Sequence, residues 1–316
     1  KSLGNVVEPK VIIDEFGPDT ARHFILFAAL PEKELDWSDA GVGASHRHIL
    51  KFYHLAISGV QNAERSGDFS SYDKYIQSKL QRTIATVTEH IDAFRLSLAL
   101  GTIIEFVGDL SRYVDKGAHK DVIATSLRTV ALLFNPFIPH TAEELWEYLG
   151  GEGFINEQSW PTPDESLIDE KSEAAFELLE SLAADIRTVM QLVKVDKPKT
   201  VKLIVAPAWK YEFVKFFKEQ LATTRNPGEI IKATMAKEEF RQYGKDLSKL
   251  IPALAKDTSR LPQTLLSHDD ELDRINEAAG FLQETFGCEV TVEKAEESEE
   301  SKAKSAMPSK PGILIA

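Results

Sequence analysis

The chain of 316 residues carries 43% hydrophobic side chains, enough for two or three domains with cores of their own. Its 37 Lys and Arg against 50 Asp and Glu leave a formal charge of −13, and the one cysteine, Cys288, excludes an internal disulfide or a cysteine-rich metal site, as suits a reducing cytoplasm. No apolar run is long enough to cross a bilayer and the eight histidines show no HExxH spacing, so neither a membrane span nor a metal site is expected.

In chain order, Gly4-Asn5 reads as a turn, and Asp19 stands at the dipole-favoured start of a helix predicted over 19–29, in which Arg22 is expected to make a structural salt bridge. From residue 44 the pattern stays helical for about 150 residues, a length that suits a bundle. The first of these helices, 44–65, lines up Ile49, Phe52, Ala56 and Val60 on one face and Arg47, Lys51 and His54 on the other. Helices follow over 76–93, 96–115 and 122–134, where Asn135-Pro136-Phe137-Ile138-Pro139 forbids continuation. Thr141 with Glu144 three residues later reads as a capping box that restarts the helix. His140 has no nucleophile or carboxylate pair beside it and is read as a packing or capping residue. After the surface connection Ser159-Trp160-Pro161-Thr162-Pro163, a long helix over 167–195 repeats Phe176, Leu179, Ala183, Ile186, Met190 and Val193 at heptad spacing. It is expected to pack back onto the bundle.

Beyond Lys197-Pro198-Lys199 the period changes. Residues 201–206 read as a short central strand, 209–221, 238–255 and 272–286 as helices, and 288–292 as a second strand. The Glu, Ser and Lys tract over 296–310 has little to bury and is expected to be a mobile loop or tether. The apolar ending 311–316 reads as a third strand.

Charge is distributed unevenly. Residues 197–260 hold fourteen Lys and Arg against seven Asp and Glu, whereas 261–316 hold five against twelve. Phosphate binding depends on local charge more than on the total, so the first stretch is the candidate polyanion surface: Lys197, Lys199, Lys202, Lys210, Lys215, Lys218, Lys237, Arg241 and Lys245, with Arg225, Lys232 and Lys249. Arg47, Lys51 and His54 form a second cationic stripe, for which a solvated helix face is an equal reading.

Lys1-Ser2-Leu3-Gly4-Asn5-Val6-Val7, with Glu8-Pro9 and Phe16-Gly17-Pro18-Asp19-Thr20-Ala21-Arg22 behind it, resembles the tail of the KMSKS loop of class I aminoacyl-tRNA synthetases. Pro31-Glu32-Lys33-Glu34-Leu35-Asp36-Trp37-Ser38-Asp39-Ala40-Gly41-Val42 is similar to the leucyl enzymes in particular. The phrase from Asn135 to Trp146 resembles the signature of the anticodon-binding helical domain in the leucyl, isoleucyl, valyl and methionyl group. Met307-Pro308-Ser309-Lys310-Pro311 resembles the phrase that closes the small α/β domain of archaeal and eukaryotic-type leucyl enzymes.

The resemblance implies a mainly α chain: the end of a catalytic region over 1–43, a class Ia anticodon-binding-type helical bundle over 44–196, and a small α/β C-terminal tRNA-binding domain over 197–316. It makes Lys1 the second lysine of the loop, on the ATP phosphate side, with Ser2 beside it. It places Ile315 and Ala316 near the bases of the long variable arm of leucine tRNA. The HIGH-containing catalytic domain and the editing domain have no room here. The expectation is therefore a cytoplasmic C-terminal portion that positions leucine tRNA, binds no cofactor alone and is inactive alone. ATP and Mg2+ would belong to the complete enzyme, and the partners would be the tRNA and the missing N-terminal portion. An isoleucyl or valyl fragment, a freestanding RNA-binding module and a helical adaptor are the rival readings.

Overall fold

The structure, a computed structural model, describes residues 8–28 and 37–316; the expectations for Lys1 and Ser2 and for residues 31–36 lie outside the described residues. The chain falls into two compact units, Lys1–Ser172 and Glu173–Ala316.

The first unit is helical: α1 (Pro9–Phe16), α2 (Pro18–Ala28), α3 (Asp39–Asn62), α4 (Ser71–Asp92), α5 (Leu96–Asp115), α6 (Lys120–Phe134) and α7 (Pro139–Tyr148). Local chemistry fixes their starts. Ser38 accepts from the Gly41 amide at the head of α3, Ser70 and Asp73 cap α4 reciprocally, and the His119 ring accepts from the Asp121 amide at the head of α6. The apolar faces of α3 to α6 bury Phe52, Ile76, Ile103, Phe106, Leu110 and Phe134, each worth about 1.5–3 kcal/mol of transfer from water. α3 meets α5 and α6 at Gly59, where a Cβ would lie 3.4 Å from Val114 and 3.5 Å from Leu127. Because the neighbours close in on that side, Gly59 is buried and Val60, expected in the core, is 39% exposed.

The buried carboxylate of Asp73 ties two loops to this core. It accepts from Arg65 through both terminal guanidinium nitrogens, from the Tyr113 hydroxyl, and from the Ser70 amide and hydroxyl, both at 2.7 Å. The Tyr113 oxygen in turn accepts from the His119 amide at 2.9 Å.

A second buried acid holds α2 to the bundle, and it replaces the capping box read at Thr141. α7 begins at Pro139 with Ile138 as a cap that offers no side-chain bond, so Thr141 already lies inside the helix. Asp19 of α2 supplies the acceptor instead. Its carboxylate takes the Thr141 amide and hydroxyl, each at 2.7 Å, and His140 Nδ1 at 2.8 Å. Arg22, one turn along, donates to the Pro136 carbonyl at 2.9 Å and the Phe137 carbonyl at 3.4 Å rather than to a carboxylate. Asp19 and Arg22 of the Gly17-Pro18-Asp19-Thr20-Ala21-Arg22 phrase thus grip one turn, from residue 136 to residue 141.

The second unit comprises α8 (Glu170–Val193), β1 (Thr200–Val205), α9 (Ala208–Leu221), α10 (Pro227–Ala236), α11 (Glu238–Arg241), α12 (Gly244–Lys256), α13 (His268–Phe286), β2 (Glu289–Lys294), α14 (Ser301–Ser305) and β3 (Gly312–Ile315). The sheet order is β2-β1-β3, with β1 parallel to β2 and antiparallel to β3; Val201 faces Val290 on one side and Ile315 on the other. The parallel pair needs a long crossover, which α9 to α13 provide. One core joins Leu178, Leu182 and Ile186 of α8 to Val201 and Leu203 of β1 and Ile275 and Leu282 of α13. A smaller one holds Phe213 and Phe217 of α9 against Ile230, Phe240, Leu247 and Ile251.

α8 therefore packs on the sheet, where a place on the bundle was expected, and the boundary expected after residue 196 falls inside the second unit. An apolar stripe states that a helix has a partner but not which one; its most buried line runs through Ala175, Leu178, Leu182 and Ile186, while Leu179, Ala183 and Met190 of the heptad read from Phe176 pack half-buried against the same core. The expected tether over 296–310 is likewise built: α14 buries Ala303, and Ala306 follows it into the core. Gly312 is needed there, since a Cβ would come within 2.9 Å of the Lys302 carbonyl. The helix expected over 238–255 divides at Gln242 and Tyr243 into α11 and α12. No helix among the described residues is long and apolar enough to cross a membrane.

Candidate nucleic-acid interface

On α3, the face opposite Phe52 leaves Arg47, Lys51 and His54 exposed, and none of the three enters an ion pair among the described residues. Their charge is felt locally: burial depresses the His48 pKa, and the cations of Arg47 and Lys51 depress it further.

In the second unit the lysines and arginines of 197–260 do not form one surface. Lys202 of β1 reaches Glu293 of β2 at 3.0 Å and Glu300 at 3.9 Å, so its charge is matched within the protein. Lys218 donates to the carbonyls of Pro262 at 3.0 Å and Gln263 at 2.6 Å, closing the α12–α13 connection onto α9. Lys237 lies 4.6 Å over the Phe216 ring with Glu239 at 3.8 Å, and Arg241 donates to the Met235 carbonyl at 3.3 Å. Lys210 is buried, its ammonium held by the carbonyls of Lys304 at 2.8 Å and Ala306 at 2.6 Å. Burial lowers its pKa, with the carboxylate of Asp246 acting in the opposite sense. The single cradle expected from the charge count is thus corrected: several of these cations satisfy carbonyls or carboxylates of the fold, a role that a count of charges cannot distinguish from phosphate binding.

What the structure does bring together lies at the two ends of β1. At its start, the Ala316 carbonyl accepts from the amides of Lys199 at 2.7 Å and Thr200 at 3.0 Å, so Lys197, Lys199, Ile315 and Ala316 occupy one end of the sheet. The terminal backbone is consumed by this pairing, and Ile315 is half-buried opposite Val201. Lys215 and Lys245 remain exposed elsewhere on α9 and α12 and pair with no carboxylate among the described residues.

Beyond the other end of β1, where the chain enters α9, a cleft of about 610 Å³ opens. Lys210, Lys249, Arg260, Lys304 and Lys310 line it, with Asp246 as the carboxylate among the lining residues. Only Lys210 and Lys249 belong to the sequence-derived surface. Arg260 was not singled out, and Lys304 and Lys310 sit in the stretch with a net negative count. The signal that reaches them is the carbonyl cage of Lys210, which forms only when residues about 95 positions apart meet; no periodicity reports it. Among the described residues no group of three metal-ligating side chains converges.

A family described as the anticodon-binding domain of tRNA ligase matches residues 73–205, from α4 to the end of β1. Over its whole length the chain is 32% identical to a leucine–tRNA ligase of Halobacterium salinarum, covering 35% of that protein, and 30% identical to one of Pyrococcus abyssi, covering 32%. It spans about a third of the length of the curated relatives it matches. Among solved structures, a ternary LeuRS–tRNA–LeuAMS complex of Agrobacterium radiobacter is 30% identical with a TM-score of 0.49, over 54% of this chain and 22% of that one.

Proposed function

We propose that this chain, which belongs to the leucine–tRNA ligase family as the C-terminal part of such an enzyme, holds leucine tRNA by its backbone while ATP-dependent aminoacylation proceeds in domains outside the present sequence. The match to leucine–tRNA ligases along all 316 residues carries the reading. The exposed cations of α3 and those at the two ends of β1 supply the chemistry, because ammonium and guanidinium groups that are not matched internally release counterions when they meet phosphates. A cytoplasmic setting follows from the same reading. Lys1 and Ser2 are assigned by resemblance to the ATP side, and with the HIGH-containing domain outside the present sequence the isolated chain lacks catalysis. Binding of leucine tRNA measured against salt tests the proposal. With roughly five phosphates neutralised, the log-log slope is expected at about −3 to −5, and a slope near zero refutes the reading.

A further inference from the structure

The cleft beyond the end of β1 collects its cations from four stretches of chain: Lys210 from α9, Lys249 from α12, Arg260 from the turn after it, and Lys304 and Lys310 from α14 and the segment behind it. Arg260 is matched by Asp257 at 3.1 Å. Lys249, Lys304 and Lys310 are exposed and have no carboxylate partner among the described residues. Like charges held around a hollow repel one another, an arrangement that an incoming anion relieves. The floor between them is apolar, formed by Leu250, Leu254, Met307 and the Trp209 ring, which stacks on Tyr243 at 4.0 Å and 9°. A cationic rim above an apolar, aromatic floor matches the two parts of a nucleotide, and the volume lies within the usual range for such ligands.

The rim is held in place from inside the fold. Lys210 clamps the carbonyls of Lys304 and Ala306, and Glu271 Oε2 accepts the Ser309 amide at 2.8 Å. Residues 304–310 therefore present their lysines without first having to be ordered, which lowers the entropic cost of binding. The donors are ammonium groups on flexible stems, and no glycine-rich loop of backbone amides, the usual cradle for a free nucleotide, lines the cleft. Such a rim suits the successive phosphates of a polynucleotide.

We propose that this cleft seats a phosphate-bearing nucleotide of the bound RNA, with Lys249, Lys304 and Lys310 contacting its phosphates; the assignment rests on the tRNA-binding reading above. It adds a contact at the far end of β1 from Ala316, roughly 20 Å away given about 3.3 Å per strand residue.

The test is binding of leucine tRNA to the whole chain carrying K249E, K304E and K310E together, against a charge-matched control with K10E, K74E and K120E in the first unit, both checked for unchanged melting. The cleft variant is expected to lose about 100-fold in affinity and to flatten the salt slope by about three, and the control to lose less than about 5-fold. Lys→Gln at the same three cleft positions, which avoids introducing negative charge, is expected to lose about 10-fold, and Lys→Arg to keep wild-type affinity. Equal losses in cleft and control variants overturn the cleft and leave the tRNA reading standing. No binding by the unaltered chain overturns that reading itself. ATP at fixed ionic strength is expected to leave RNA binding unchanged; competition by ATP that disappears in the cleft variant reassigns the site to free nucleotides and overturns the RNA assignment.

Discussion

Replacing Asp19 by alanine tests how α2 is joined to the bundle. The carboxylate is nearly buried and accepts two short bonds from Thr141, one from the His140 ring and a long one of 3.4 Å from the His140 amide. Loss of a helix cap costs about 0.5–2 kcal/mol, and the Thr141 amide and hydroxyl left unpaired in a part-buried site add about 1–3 kcal/mol. Relief from burying a charge offsets part of this, so a net loss of about 1–4 kcal/mol is expected in the first unit. Arg22→Ala removes two bonds to neutral carbonyls from an exposed guanidinium and is expected to cost about 1 kcal/mol. Because the chain holds two compact units, the assay is native-state hydrogen exchange of the α7 amides beside urea denaturation. If Asp19→Ala costs less than about 0.5 kcal/mol and leaves the Thr141 amide as protected as before, the cap assigned to this carboxylate is wrong.

Two pH dependences of opposite sign follow from buried acids in the two units. For Asp73, burial pushes the pKa up, but the bonds from Arg65, Tyr113 and Ser70 outweigh it and hold the carboxyl at about 2, below its ordinary 3.8; this stability is complete above about pH 4 and lost as the pH falls through 2, and Asp73→Asn should abolish that acid limb in melts of the first unit. For Glu271, burial raises the pKa from 4.5 to about 7 against the opposing Ser309 amide, so the protonated form is favoured in the fold and its contribution, present below pH 4.5, is lost as the pH rises through 7. Glu271→Gln is expected to be more stable than the unaltered chain by about 2–3 kcal/mol at pH 8 and equal to it near pH 4.5, and equal melting points at pH 8 would contradict this.

The parts of the fold that were legible in the sequence are those set by neighbours a few residues away. The helix read over 96–115 is α5 (Leu96–Asp115), the one read over 122–134 is most of α6 (Lys120–Phe134), and 201–206 overlaps β1 (Thr200–Val205), because periodicity and stop signals act within one element. The failures share a cause. Which layer α8 joins, why Thr141 is capped by Asp19, and why a Glu- and Ser-rich stretch becomes α14 all depend on contacts between elements rather than within one, the Asp19–Thr141 bond spanning 122 positions. α1 and α10 were missed for a simpler reason: the first lies within a motif read for its resemblance, and the second is short.

The cations make the same point about function. Lys202, Lys210 and Lys249 look alike in a charge count, yet one pairs with carboxylates, one is buried on carbonyls, and one faces an open cleft. Acidic residues of the C-terminal stretch take part in this sorting: Glu293 and Glu300 match Lys202, and Glu271 fixes Ser309 in the segment that carries Lys304 and Lys310. A chain of net charge −13 can therefore meet a polyanion without contradiction, since some of its negative charge matches internal cations and some holds in place a segment whose lysines remain exposed. What matters for phosphate binding is the set of cations the fold leaves unmatched. In the second unit that set includes the cations at the two ends of β1, where the backbone of one strand fixes the spacing between them, and exposed Lys215, Arg225, Lys232 and Lys245 away from the sheet.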